Sequence, residues 1–244
     1  DIVNHDSFLA FGPYYGNKII SAFWSLNIYT NQRHLALAYA VFLLLVLVIY
    51  RASENNNRLS LNKTLVWGII IGLFPFIHLS VFAMMEVALF IFLVIYPHLR
   101  KNILAIIGIS LILALPQIMY SGAGSSQVKL FHPGYLIENL NFLSFIKYWF
   151  LNLGLVTLLA PIGFFLAKKP QRKIILPFLA LFVVGNVFQF SPEIAGNHKF
   201  FNLFIIGFNT FAAYSIYNLW KHSLVGKTAA IFYLILMTLS GIID

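Results

Sequence analysis

The sequence contains no cysteine. That removes disulfides and thiolate metal sites from consideration and leaves the redox compartment unread. Charge is nearly as scarce: 9% of the 244 residues are charged, and 7 acids stand against 16 Lys and Arg. Soluble domains average about 25% charged residues, so a water-exposed surface of the ordinary kind is excluded. Common catalytic signatures are missing as well. No GxxxxGK(S/T) phosphate loop, HExxH pair or GxSxG elbow occurs, which sets aside the chemistries that depend on them. The seven histidines are too scattered to imply a zinc site.

Apolar residues fill the space that charge leaves. They make up 60% of the chain, and the mean hydropathy is +0.86. A soluble fold of this length could not hide that much apolar surface, so the expected fold class is all-α, a polytopic transmembrane helical bundle. The formal charge of +9 does not indicate nucleic acid. The bases sit in short loops between apolar runs, where membrane topology puts them, and do not form one patch.

A membrane-crossing helix needs about 20 apolar residues. Runs of that kind lie near 35–50, 64–77, 79–97, 103–120, 148–167, 174–190, 200–220 and 228–243, giving about eight spans. Residues 1–33 read as an extracytoplasmic loop and an interfacial helix, and 34–244 as the membrane domain. The stretch 64–97 is the ambiguous one, because Glu86 is its single charge. As one helix it would measure roughly 50 Å, too long for a bilayer core of about 30 Å. Pro75 lacks a backbone donor and clashes with the preceding turn, so the chain is expected to break just before His78. Charge supports that division. With eight spans, Arg51, Arg58, Lys63, Arg100, Lys101, Lys168, Lys169, Arg172, Lys173, Lys221 and Lys227 share one side, 11 of the 16 bases, and 5 remain on the other. The richer side is the cytoplasmic one. Trp67, Trp149 and Trp220 fall near span ends, as interfacial anchors do. The chain begins without Met or a basic leader and stops directly after an apolar run, which leads to the expectation of a fragment of a longer protein.

On the expected outer face, Arg33-His34 opens the first span and Asn197-His198-Lys199 opens the seventh. Both helices would point their N-termini outward, where the backbone already supplies positive potential and unpaired N–H groups. Extra cations there conflict with the helix dipole unless an anion resides between them, and phosphate suits Arg, Lys and His donors. Arg33 and Lys199 also fit plain snorkelling to lipid headgroups. His78 stands at the break, open to a structural role or to ligand contact. His132 precedes Pro133-Gly134 as a turn residue or a functional one, and Glu193 follows Ser191-Pro192 as a helix-start acid or a ligand contact. Glu86, deep in an apolar run, is either a functional ionisable group or a structural one, protonated or hydrogen-bonded to a Tyr or Asn of a neighbouring helix. Apart from Asp1 and Asp6 at the chain start, no two carboxylates share one outer loop, so no complete acid/base pair is visible.

Four stretches, NQRHLALA (31–38), PFIHLSVF (75–82), YWFLNLG (148–154) and GNHKFFNLF (196–204), resemble the GT-C class of integral-membrane glycosyltransferases. Within that class they are most similar to prokaryotic members related to protein-mannosyltransferases and aminoarabinose transferases. The resemblance implies a GT-C-like fold in the prokaryotic plasma membrane with an extracytoplasmic active site. It implies sugar transfer from a polyprenyl-phosphate donor to a glycan, lipid or protein acceptor. The catalytic acid of such enzymes lies in the first outer loop. Nothing marks Asp6 as that acid, so it is expected upstream of residue 1. On this reading Arg33, His34, His78, Glu193, Asn197, His198 and Lys199 contact substrate, and the loop 120–147 acts as a lid. No cofactor is expected, and a divalent metal is left open. The competing reading is a secondary transporter or lipid flippase with Glu86 as its coupling residue.

Overall fold

The computed structural model describes residues 33–121, 130–191 and 193–243. The expected loop and interfacial helix of 1–32, Asp6, and the centre of the expected lid with Gly122, Gly124, Ser125 and Ser126 lie outside the described residues. Among the described residues the chain forms ten α-helices: α1 (Arg33–Glu54), α2 (Leu61–Gly72), α3 (Phe74–Ile95), α4 (Arg100–Tyr120), α5 (Phe142–Leu153), α6 (Val156–Leu166), α7 (Lys169–Lys173), α8 (Ile175–Val187), α9 (His198–His222) and α10 (Leu224–Ile243). A lone antiparallel bridge, Phe131 to Phe188, is the β-structure among them. The fold is therefore all-α.

Four helical stretches are long and apolar enough to cross a membrane: His34–Glu54, Phe74–Ile95, Pro97–Tyr120 and Ile194–His222. A fifth arises if α5 and α6 count as one span bent by 86°. Large apolar side chains such as Leu37, Phe76, Phe90, Ile112 and Phe165 point outward at 61–73% exposure. Such a surface suits lipid and not water.

The expected single run at 148–167 is corrected. Gly154 adopts φ 54°, ψ −134°, a region that side chains with a Cβ avoid, and the chain turns sharply there. The helix at 142–153 starts with a full capping box between Asn141 and Ser144, which fixes its first turn.

The 61–95 region is organised by α4. Asn102 Nδ2 donates to Leu59 O and Thr64 Oγ1, both at 2.9 Å. Gly68 and Gly72 press against Ile109 and Leu113, where an added Cβ would lie 2.8 and 2.7 Å from the neighbouring Cβ atoms. Small residues four apart allow this backbone approach. Farther on, Gln117 meets Gly72 and Phe76. The paired numbers rise together, so 61–76 runs parallel to α4. Beyond the break they fall: Ser110 Oγ donates to Glu86 Oε1 at 2.6 Å, and Arg100 Nε to Leu93 O at 3.1 Å. The chain thus reverses direction between 76 and 86. His78 is the one residue inside α3 with non-helical backbone, at φ −162°, ψ 94°.

Gln117 explains how the approach to this reversal survives in an apolar interior. In an unbroken helix the N–H of Phe76 would bond to the C=O of Gly72. Here the Gln117 amide stands between them: Nε2 donates to Gly72 O at 2.7 Å, and Oε1 accepts from Phe76 N at 3.3 Å. A side chain inserted in the ladder is one of the few physical causes of a sharp helix break.

The core contains Leu35, Phe42, Phe82, Met85, Phe178, Leu181, Phe200 and Phe204, drawn from α1, α3, α8 and α9. A second cluster joins α6 to α9. There Ser215 Oγ donates to Leu159 O at 2.6 Å.

Candidate functional site

The helix starts at 34 and 198 and the break at 78 lie at the same end of the bundle. Tyr39, in the second turn of α1, donates its hydroxyl to Lys199 O at 2.6 Å, which ties α1 to the first turn of α9. The His34 and His78 rings stack obliquely, with centroids 5.2 Å apart and planes at 33°. Lys199, His34 and His198 all lie within electrostatic range of the His78 ring. Three helices thus deliver His34, His78, His198 and Lys199 to one place, from positions up to 165 residues apart in the numbering. Arg33 is the first residue of α1, and its side chain lies outside the described residues.

His78 and His198 owe their poses to backbone bonding. His78 Nδ1 accepts from Val81 N–H at 3.4 Å. The extended residue therefore caps the returning helix, as Asn or Ser does elsewhere. What His78 satisfies is a backbone N–H freed by the break. With Nδ1 as acceptor, the neutral ring carries its proton on Nε2. His198 sits over the short 3-10 turn Ile194–Asn197, with Nδ1 2.9 Å from Ala195 O. That carbonyl accepts only, so Nδ1 bears the proton. Lys199 is half-buried with no carboxylate partner among the described residues.

Asn202, four residues beyond His198 and so on the same helix face, is buried. Its Nδ2 has no acceptor among the described residues. The sequence did not single it out; an amide one turn inside an apolar helix, below a His-Lys pair, was the available signal.

Two expected contact residues do other work. Asn197 is 1% exposed, and its amide is fully occupied: Nδ2 donates to Gly185 O at 2.9 Å and Phe188 O at 2.5 Å, and Oδ1 accepts from Phe190 N at 3.2 Å. It clamps the end of α8 to the start of α9 and has no donor left for a ligand. Glu193 is exposed. Its backbone carbonyl accepts from the Ser191 hydroxyl and from Gly196 N, which makes it part of the turn. Glu86 accepts from Ser110 at the α3–α4 contact; the neighbouring helix supplies a serine and not the expected Tyr or Asn.

Residues 130–137 lie over the α8–α9 junction. His132 N and Gly134 N donate to Val187 O at 3.0 Å and Asn186 O at 2.8 Å. Tyr135 is buried against Trp149 and Phe201, and its hydroxyl donates to Ala195 O at 3.2 Å. Burial pushes its phenol far above the usual value, so it stays neutral. This half of the expected lid is pinned down. Trp149 is likewise corrected from interfacial anchor to core: it is 4% exposed, and Nε1 donates to Asn186 Oδ1 at 3.2 Å. Trp220, 46% exposed beneath Lys227, keeps an anchor's position.

The cluster is rich in donors. Among the described residues no group of three or more His, Asp or Glu is arranged to hold a metal ion. An oxygen-rich anion suits the set: Lys199 supplies a point charge, and His78 offers Nε2–H. No family model matches this chain, and no match was found among curated proteins or among solved structures.

Proposed function

We propose that this chain is the membrane domain of a GT-C-like glycosyltransferase that takes a sugar from a polyprenyl-phosphate donor. In this reading it crosses a prokaryotic plasma membrane about eight times, with 61–77 and 79–95 counted as separate spans, and the histidine end faces outward. The observation that supports it is the convergence of His34, His78, His198 and Lys199 from three helices with no carboxylate among them.

The chemistry follows from that set. The acceptor hydroxyl attacks the anomeric carbon and gives its proton to a general base. The bond from that carbon to the phosphate oxygen breaks, and the phosphate leaves with the electron pair. Lys199 and the imidazoles stabilise the charge that grows on the departing oxygen. The described residues assign no general base. Deeper between α1, α8 and α9, an apolar cavity of about 340 Å³ lined by Leu43, Val46, Phe178, Ile206 and Gly207 offers room for part of the polyprenyl chain. It starts nine residues below His34 on α1, about 13 Å along the axis.

The test is donor binding by the whole chain in detergent, with a short-chain prenyl phosphate as probe. His198→Ala combined with Lys199→Ala should weaken binding by at least about tenfold, since a hydrogen bond to a charged group contributes roughly 1.5–3 kcal/mol. Glu86→Gln should leave it unchanged. Equal affinity in the double variant would remove the phosphate clamp, and loss of binding in Glu86→Gln would favour the transporter reading.

A further inference from the structure

A second cationic site lies at the opposite end of the bundle, in the turn that joins α1 to α2. Arg51, Arg58 and Lys63 surround a polar cavity of about 520 Å³, together with Asn55, Asn57 and Ser60. Basic loops are common at membrane surfaces, so position alone would mean little. What distinguishes these three is that all of them line one polar cavity, while five other cations among the described residues are engaged elsewhere. Arg100 bonds to Leu93 O, and Arg172 to Ala167 O. Lys173, Lys221 and Lys227 lie over the rings of Tyr96, Tyr217 and Trp220. Arg51, Arg58 and Lys63 have no such partner among the described residues. The nearest acid, Glu54, does not line the cavity, and its carboxylate accepts from the Tyr50 hydroxyl.

The cavity is also built on a fixed frame. Asn56 takes a left-handed conformation at φ 50°, and Asn57 N donates to Ala52 O at 3.0 Å. Ser60 caps α2 by accepting from Lys63 N, and Asn102 holds Leu59 O from the side. The three charges are therefore gathered by the backbone and not by mutual attraction, which they lack. The start of α2 adds helix-dipole potential of the same sign.

We infer that Arg51, Arg58 and Lys63 form a binding site for a phosphate-bearing ligand, either the headgroup of an anionic phospholipid or a soluble phosphate compound. The guanidinium forks and the ammonium supply charge-assisted donors, and the asparagines and Ser60 supply neutral ones. The site is independent of the histidine end.

The test uses the whole chain in neutral detergent, with thermal unfolding followed against added phosphatidylglycerol, phosphatidylcholine or sodium pyrophosphate. A ligand that binds the folded state raises the midpoint in proportion to its affinity. Phosphatidylglycerol or pyrophosphate should stabilise the protein, and phosphatidylcholine should not. Stabilisation by phosphatidylglycerol alone assigns the ligand to lipid; stabilisation by pyrophosphate alone assigns it to a soluble compound. Each of Arg51→Gln, Arg58→Gln and Lys63→Gln should weaken the effective probe roughly fivefold, and the triple variant roughly a hundredfold. Lys168→Gln with Lys169→Gln removes two charges outside the cavity and should change nothing. Arg51→Lys with Arg58→Lys keeps the charge and carries the test if the triple variant does not fold. The inference is overturned if neither probe stabilises the wild type, if the triple variant binds as well, or if the Lys168/Lys169 control loses as much.

Discussion

Replacing Gln117 with Leu tests whether the inserted amide holds the break that sets His78. The side chain is 7% exposed, so Leu fills nearly the same apolar space and leaves no large void. Three hydrogen bonds vanish. One, from Nε2 to Leu113 O at 2.6 Å, goes to a carbonyl that also serves its own helix and is cheap to lose. The other two leave Gly72 O and Phe76 N without partners away from water. Each unsatisfied buried group costs about 1–3 kcal/mol, so the variant should lose roughly 2–6 kcal/mol. Reversible unfolding in mixed detergent micelles measures this directly. A second readout follows from the absence of cysteine. A single cysteine placed at exposed Ile77 is the one thiol in the chain, and its alkylation rate should change when the bracket is removed. Gln117→Glu keeps the acceptor for Phe76 N–H but sets oxygen against Gly72 O, so it should lie between the two. A Leu variant within about 0.5 kcal/mol of wild type, with unaltered alkylation, would show that the backbone closes the gap by itself.

Other outcomes follow from the same geometry. His78→Asn keeps a cap for Val81 N–H and should unfold like wild type, whereas His78→Ala should lose about 1 kcal/mol; prenyl phosphate binding should fall in both. Gly163→Ala puts a methyl 1.8 Å from Phe211 O. It should force α6 from α9 and lower stability by about 1–3 kcal/mol or more, read as a drop in unfolding midpoint. Trp149→Phe deletes the bond to Asn186 and should cost about 1 kcal/mol. In the wild type, acrylamide should quench Trp220 fluorescence far more than that of Trp149.

The helical class was legible because the chain's long continuous apolar runs suit membrane-crossing helices, whereas a closed barrel would alternate apolar with polar residues. The reversal near His78 was legible too, since Pro75 and the length of 64–97 both demand a break. Its bracket was not. Gln117 lies some forty residues away, and only tertiary contact shows which break it serves. The bend at Gly154 was hidden because a glycine in an apolar run reads equally as a packing site. For the candidate site, His34, His78, His198 and Lys199 were readable as polar residues at helix starts. Asn197 was misleading: it shares their neighbourhood in sequence, yet its amide is turned toward Gly185 and Phe188. Whether a polar side chain faces inward to backbone or outward to a ligand depends on χ angles that spacing does not encode.

The Tyr39–Lys199 bond spans 160 positions, and this has a temporal meaning. During synthesis at about 5–20 residues per second, roughly 10–30 s pass between the emergence of its two ends. From the emergence of residue 78 onward, His34 and His78 wait without their third wall. A ribosome stalled before residue 198 would leave a nascent chain in which His34 and His78 still lack His198 and Lys199.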